Sequence, residues 1–284
     1  MWAVEGLSYQ FKIGDLECLI VNDGSRSLGE MTSQSPAKFF FGDVSKELED
    51  SLRPYGGLDP SSMVVFNYLL VKDRDQLTLI DAGCGDQSKN LEHPSEPAGM
   101  LQRNLSESGV QSEDIQTVVI SHCHWDHFGG VFLDGELAFL NAAHVMSAVE
   151  AEHIRLNVKG WALEYLDKLG SKMIYINSPM DLSSRIRVLP AQGHTPGTIT
   201  VEASSNGFKL LYTSDVIIHS LHVEHPNWSP SFEADRKTAA MTRMTLVEKA
   251  HIDGTLLHAP HMPSPGLGKI IRTLTGFRWE AVSI

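Results

Sequence analysis

Between Ser121 and Gly130 the chain reads Ser-His-Cys-His-Trp-Asp-His-Phe-Gly-Gly, which places His122, His124, Asp126 and His127 within six positions. Imidazole nitrogen and carboxylate oxygen are the donors that divalent, zinc-like ions favour. Residues 117–120, Thr-Val-Val-Ile, form a β-branched run of the kind that makes a buried strand. The paired glycines that follow free the backbone to turn sharply. On extended backbone, residues two apart point to the same side, so His122 and His124 face one point in space. Asp126 and His127 come after the bend and face a second point, a geometry that suggests two metals. Cys123 turns away by the same alternation and reads as a small buried filler.

Those donors need strands to deliver them. Residues 9–21 alternate as a hairpin turning at Gly14-Asp15, with Phe11, Ile13, Leu16, Leu19 and Val21 inward, and Asn22-Asp23-Gly24-Ser25 breaks the pattern. Residues 25–62 form an excursion rich in Ser, Gly, Pro and charge, with Phe39-Phe40-Phe41 as a concentrated apolar patch and a short helix expected over 45–52. The patch reads either as an anchor to the core or as a pocket wall or subunit contact. Strands over 63–72 and 77–81 lead to a glycine-rich turn at 81–86, and a helix over 97–108 stops at Gly109 just before the histidine strand. Strand, helix and strand, with donors at a strand's C-terminal end, fit an α/β sandwich.

Further along, the pattern predicts strands at 137–140, 174–176, 186–189, 198–201, 208–212 and 256–257. It predicts helices at 145–154, 161–169 and 233–252, the last ended by Gly254. No fixed-period repeat or low-complexity linker appears, so residues 1–284 are expected to form one domain.

Composition narrows the function. An apolar content of 42% with 20% charged residues suits a globular protein with a sizeable core. The formal charge of -12 argues against a nucleic-acid surface, which needs a basic stripe. The first residues carry no basic stretch followed by an apolar one, and no apolar run approaches the roughly 20 residues of a membrane helix. Cys18, Cys84 and Cys123 are too few and too scattered for a disulfide framework. A cytoplasmic enzyme with a small-molecule substrate, no nucleic acid and no membrane is the resulting expectation.

The run H-x-H-x-D-H-x-G-G resembles the signature of the metallo-β-lactamase-fold hydrolases. The resemblance extends from about Phe11 to the C-terminus: residues 65–71 and 78–83 look like that family's opening strands and its Asp-Gly turn. Gly193-His194-Thr195-Pro196-Gly197, Ser214-Asp215 and His261-Met262-Pro263-Ser264-Pro265-Gly266 look like its later metal motifs. The resemblance implies an αββα sandwich of two mixed sheets flanked by helices. It assigns His122, His124 and His194 to one ion and Asp126, His127 and His261 to the other, with Asp215 bridging. His258 competes with His261, since each has a proline two residues on; the later Pro265-Gly266 favours His261. His93, His144, His153 and His251 read as packing residues.

Within the superfamily, the ending and the length most resemble the quorum-quenching lactonases and methyl parathion hydrolase. That implies two divalent ions, zinc in the first place with manganese, iron or cobalt as alternatives, and a homodimer as a family expectation. Roughly +4 from two ions against −2 from two carboxylates and −1 from hydroxide leaves a mildly positive centre that polarises a carbonyl or phosphoryl oxygen. The leading expectation is an ester hydrolase acting on a lactone: a metal-bridging hydroxide attacks the carbonyl, with Asp126 and Asp215 as the catalytic carboxylates. Phosphotriester or aryl ester hydrolysis is the runner-up, and an iron-dependent oxidoreductase such as a persulfide dioxygenase is the alternative of another class. The best-known acyl-homoserine lactonases carry a tyrosine three residues after the bridging aspartate, where this chain has Ile218. Tyr212, His219, His222 and Trp228 are therefore the candidate substrate contacts.

Overall fold

In the computed structural model, residues 8–43, 45, 50, 52, 58–90 and 98–283 are described. The helix expected over 45–52 falls largely outside the described residues, as does His93. The first sheet contains β1 (Ser8–Ile13), β2 (Leu16–Ser27), β3 (Met63–Asp73), β4 (Gln76–Ile80) and β5 (Thr117–Val119). A small hairpin, β6 (Phe132–Leu133) with β7 (Glu136–Leu137), precedes the last two strands of that sheet, β8 (Ala143–Ser147) and β9 (Met173–Ile176). Strands β1 to β4 run antiparallel, and β4, β5, β8 and β9 run parallel. The second sheet holds β10 (Met180–Asp181), β11 (Ile186–Pro190), β12 (Ile199–Ser205), β13 (Phe208–Tyr212), β14 (Leu256–His258), β15 (Leu267–Arg272) and β16 (Phe277–Ala281), in that order. Only its β13–β14 pair is parallel.

Both sheets are thus mixed, and helices flank them. The helix Leu101–Glu107 links the two antiparallel-to-parallel halves of the first sheet, and Arg236–Asp253 carries the chain from β13 to the parallel β14. Asp235 caps the latter helix by accepting from the Thr238 amide, and Gly254 closes it in the left-handed region at φ 64°. One continuous apolar core takes Leu16, Leu19, Phe66 and Leu70 from the first sheet and Val188, Val201 and Leu210 from the second.

Three of the segments read from the sequence take a different form. Residues 145–147 belong to β8, not to a helix; the helix is Ala148–His153. Val145 and Met146 are buried on a parallel strand, where a continuous apolar run mimics helical spacing. The strand expected over 137–140 is confined to Leu137, because the chain then turns to bury Phe139 and expose Leu140. Finally, β2 does not stop at Asn22: it continues to Ser27 across an irregularity between Asn22 and Gly24.

Candidate metal centre

Strand ends deliver the donors. β5 leads into Ser121 and His122, and the turn Trp125–Phe128 carries Asp126 and His127. His194 lies between β11 and β12. In the parallel pair β13–β14, Tyr212 is in register with His258, so Asp215 and His261 each follow a register partner by three residues and arrive side by side. The amide of Ile199 donates to the carbonyl of Ser121 at 3.0 Å, joining the two sheets at this point. Gly129 and Gly130 are needed for close approach: a Cβ on Gly130 would lie 1.9 Å from the Ala82 carbonyl oxygen.

The side chains meet in two sets, His122, His124, His194 and Asp215 in one and Asp126, His127 and His261 in the other, with donor atoms in each within 4.8 Å of one another. In the first, His124 Nδ1 lies 3.0 Å from both His122 Nε2 and His194 Nε2. Asp215 Oδ2 lies 3.3 Å from His194 Nε2 and 3.8 Å from His122 Nε2. The other oxygen, Oδ1, faces the second set, 3.2 Å from His127 Nε2 and 3.1 Å from His261 Nε2. Asp126 Oδ2 lies 3.5 Å from each of those two nitrogens. One carboxylate therefore presents a separate oxygen to each set.

These contacts do not suit ordinary hydrogen bonds. His261 Nδ1 faces the Val65 carbonyl oxygen at 3.0 Å, and His127 Nδ1 faces Asp81 Oδ2 at 2.7 Å; both partners only accept. The ring protons sit on Nδ1, so in the neutral rings both Nε2 lone pairs, 3.2 Å apart, point at carboxylate oxygens. A cation between them resolves the repulsion, and donors about 3.3 Å apart match a tetrahedral shell with bonds of 2.0–2.1 Å. The residues fit divalent ions.

The electrostatics agree. Burial holds His122 and His194 well below the ordinary imidazole pKa and lowers that of His124, keeping them neutral as ligands must be. Burial would also lower His127, but Asp215, Asp126 and Asp81 outweigh it and hold the ring well above its usual value. For Asp215 burial pushes upward, yet His261, His127 and His194 hold its carboxyl well below the usual range.

Asp81 is the functional residue that sequence reading passed over, seeing only a turn. Its side chain accepts from the Ser121 amide and hydroxyl, each at 2.7 Å, and from Tyr212 at 2.6 Å, besides His127. Such a carboxylate behind a ligating histidine fixes the ring's orientation and tautomer. The available signal was an aspartate in the glycine-rich turn; its φ of 64° is unusual for a residue other than glycine.

The candidate substrate contacts separate. Tyr212 is fully buried with its hydroxyl on Asp81, behind the donors and away from the cleft. His222 is also buried, with Nε2 at 2.9 Å from the Phe40 carbonyl oxygen. Trp228 stacks on His225 and packs against Phe41. His219 lines a cavity of about 520 Å³ that also touches His261, Met262 and Trp279. The cleft over the donors is a different one, about 300 Å³, bounded by Met31, Phe39, His124, Trp125, Asp126, Asp215 and Phe232. Phe39 and Phe232 pack ring to ring at 4.8 Å, and Phe232 stands 5.7 Å from His194. Of the phenylalanine patch, Phe40 and Phe41 are core and only Phe39 reaches this cleft. His258 is buried outside both donor sets, its ring 5.4 Å from Tyr212.

Comparison with known proteins follows the same lines. Probable metallo-hydrolases of Mycobacterium bovis and Mycobacterium tuberculosis are each 25% identical over 181 residues, covering 53% of this chain and 56% of theirs. The chain thus spans about half the length of the curated relatives it matches. Among solved structures, AidC, described as a dizinc quorum-quenching lactonase in complex with a product, N-hexnoyl-L-homoserine, superposes with a TM-score of 0.84 at 26% identity over 99% of both chains. A hydrolase of the beta-lactamase superfamily, AbOPH, superposes with a TM-score of 0.81 at 24% identity, again over 99% of both chains. The family model of the metallo-beta-lactamase superfamily matches residues 63–271, well over half the sequence. By fold, by donor set and by this match, the chain belongs to the metallo-beta-lactamase superfamily.

Proposed function

We propose that this protein is a dinuclear metal-dependent hydrolase that opens an ester-like bond, with a lactone as the leading substrate. The observation that carries the reading is Asp215, whose two oxygens face two different sets of imidazoles at 3.1–3.8 Å. His122, His124 and His194 would hold one ion, Asp126, His127 and His261 the other, and Asp215 both. Two such ions lower the pKa of bound water toward 7 and polarise a carbonyl oxygen, which is the chemistry that ester hydrolysis needs. Zinc is the first candidate by donor type.

The chain's own residues select and orient the substrate. Among the described residues, the cleft wall has no Lys or Arg, and its non-donor members are Met31, Phe39, Trp125 and Phe232. A neutral ester with an apolar substituent fits such a wall better than an anionic substrate. Asp126 lines the cleft, where it would carry a proton from the attacking water to the departing alkoxide. Met31 and Phe39 would make the part of the 25–62 excursion that carries them a pocket wall. The similarity to a lactonase at 26% identity adds support for the lactone. Tyr212 is committed to Asp81 and no tyrosine among the described residues lines the cleft, which favours an aryl phosphotriester as the second reading.

Purified protein is assayed against a lactone panel, an aryl phosphotriester and a thioester, alongside His124→Ala and Asp215→Ala. Lactone turnover lost in both variants is the expected result. Full turnover and metal content in either variant would end the proposal, and one stoichiometric iron per chain would favour the oxidoreductase class instead.

A further inference from the structure

The first donor set is assembled from two sheets, and one buried side chain joins them. Glu150, in the helix Ala148–His153, is fully buried. Its Oε1 accepts from the amide of Cys123, between His122 and His124, at 2.9 Å. Its Oε2 accepts from the Thr195 hydroxyl at 2.7 Å and from the Gly197 amide at 2.9 Å, just after His194. The loop lies so close to the helix that a Cβ on Gly197 would come within 2.2 Å of the Glu150 nitrogen. Thr195 and Thr198 complete a local network that fixes this loop beyond the carboxylate.

All three partners donate, so a carboxylate is the group that satisfies them. A glutamine would set its NH₂ against either the Cys123 or the Gly197 amide. The hydrogen bonds of Glu150 reach the loops of His122, His124 and His194, whereas those of Asp81 reach His127, Tyr212 and Ser121, whose hydroxyl also lies 3.0 Å from His122 Nδ1. Glu150 thus braces the first donor set, whereas Asp81 braces the second directly through His127 and reaches the first through Ser121.

We propose that Glu150 is the positioning residue of the His122/His124/His194 site and sets that site's metal affinity separately from the other. This rests on the dinuclear reading above. It extends that reading to a residue which touches neither ion nor substrate.

The test is calorimetric titration of chelator-stripped protein with Zn²⁺, comparing wild type, Glu150→Gln, Thr195→Val, Asp81→Asn and the Glu150→Gln/Asp81→Asn pair. Wild type is expected to take up two ions. Glu150→Gln should keep one at wild-type affinity and bind the other roughly 10–100-fold more weakly, the usual effect of losing an outer partner of a ligand. Thr195→Val, which removes one of the three bonds, should weaken the same ion by less and covers the case in which Glu150→Gln does not fold. Asp81→Asn should weaken chiefly the other ion, through His127, with a smaller effect on the first through Ser121, so that the paired variant binds both more weakly. Wild-type affinities in Glu150→Gln or Thr195→Val, or equal weakening of both ions, would overturn the assignment. A wild-type protein that takes up one ion or none instead removes the dinuclear reading, and this inference with it.

Discussion

Arg243 offers the sharpest perturbation away from the donors. It is fully buried in the helix Arg236–Asp253. Its Nε donates to the Val216 carbonyl at 2.7 Å, one residue after Asp215. One terminal nitrogen donates to the Pro226 and Trp228 carbonyls at 2.7 and 3.1 Å, and the other pairs with the buried Glu233. A single guanidinium thus holds the segment from Asp215 to Phe232, which supplies a metal donor and a cleft wall. Arg243→Met keeps most of the volume but strips Glu233 of its cation and orphans three carbonyls. Breaking a buried pair from one side costs about 3–5 kcal/mol, against a total stability of roughly 5–15 kcal/mol. For a chain of this size that corresponds to a fall in Tm of roughly 5–8 °C. Replacing both partners, as Arg243→Met with Glu233→Leu, should recover part of the loss, because no charge is then left unpaired although the three carbonyls still lack their donor. Thermal and urea unfolding of the three proteins, with KM measured on the best substrate, is the assay. A single variant within 1 kcal/mol of wild type, or a double variant no better than the single, would refute the reasoning; the 1 kcal/mol threshold is about one ordinary hydrogen bond.

Two further outcomes follow from the packing. His144 is fully buried and its pKa is pushed down to about 4 by burial, with Lys172 adding to the shift. Since the folded value lies below the unfolded one near 6.5, this ring contributes stability that is present above pH 6.5 and lost as pH falls toward 4, roughly 3 kcal/mol in all. Unfolding of His144→Phe across that range should show a correspondingly shallower pH slope, and an unchanged slope would count against the burial argument. Gly130→Ala would press a Cβ onto the Ala82 carbonyl oxygen and force the Asp81 turn away from His127. A stability loss of about 1–3 kcal/mol together with weaker binding of one ion is expected, and a variant with wild-type metal content and Tm would contradict it.

The sequence showed the donors better than the structure that holds them. His122, His124, Asp126 and His127 are neighbours in the chain, so their spacing alone points to one place, and the resemblance supplied His194, Asp215 and His261. Most strands and helices were legible because their periodicity is local, whereas the arrangement into two mixed sheets came from the resemblance. What could not be read is long-range. Glu150 and Arg243 look like ordinary charged helix residues until the fold buries them, and Asp81 looks like a turn. Tyr212 sits at the end of an apolar strand, where nothing local says whether its hydroxyl meets a substrate or the carboxylate of Asp81. Val145 and Met146 were misassigned because a strand buried on both faces loses the alternation that marks a half-exposed one. β15 and β16 went unread because both are short, with Gly268 inside β15 and Gly276 in the turn before β16.

The most direct measurement is a crystal of the purified protein with anomalous scattering collected on both sides of the zinc absorption edge. Two peaks should appear, one among His122, His124 and His194 and one among Asp126, His127 and His261, with Asp215 sending one oxygen to each. A single peak, or a fully metallated protein in which Asp215 contacts one ion alone, would contradict the account.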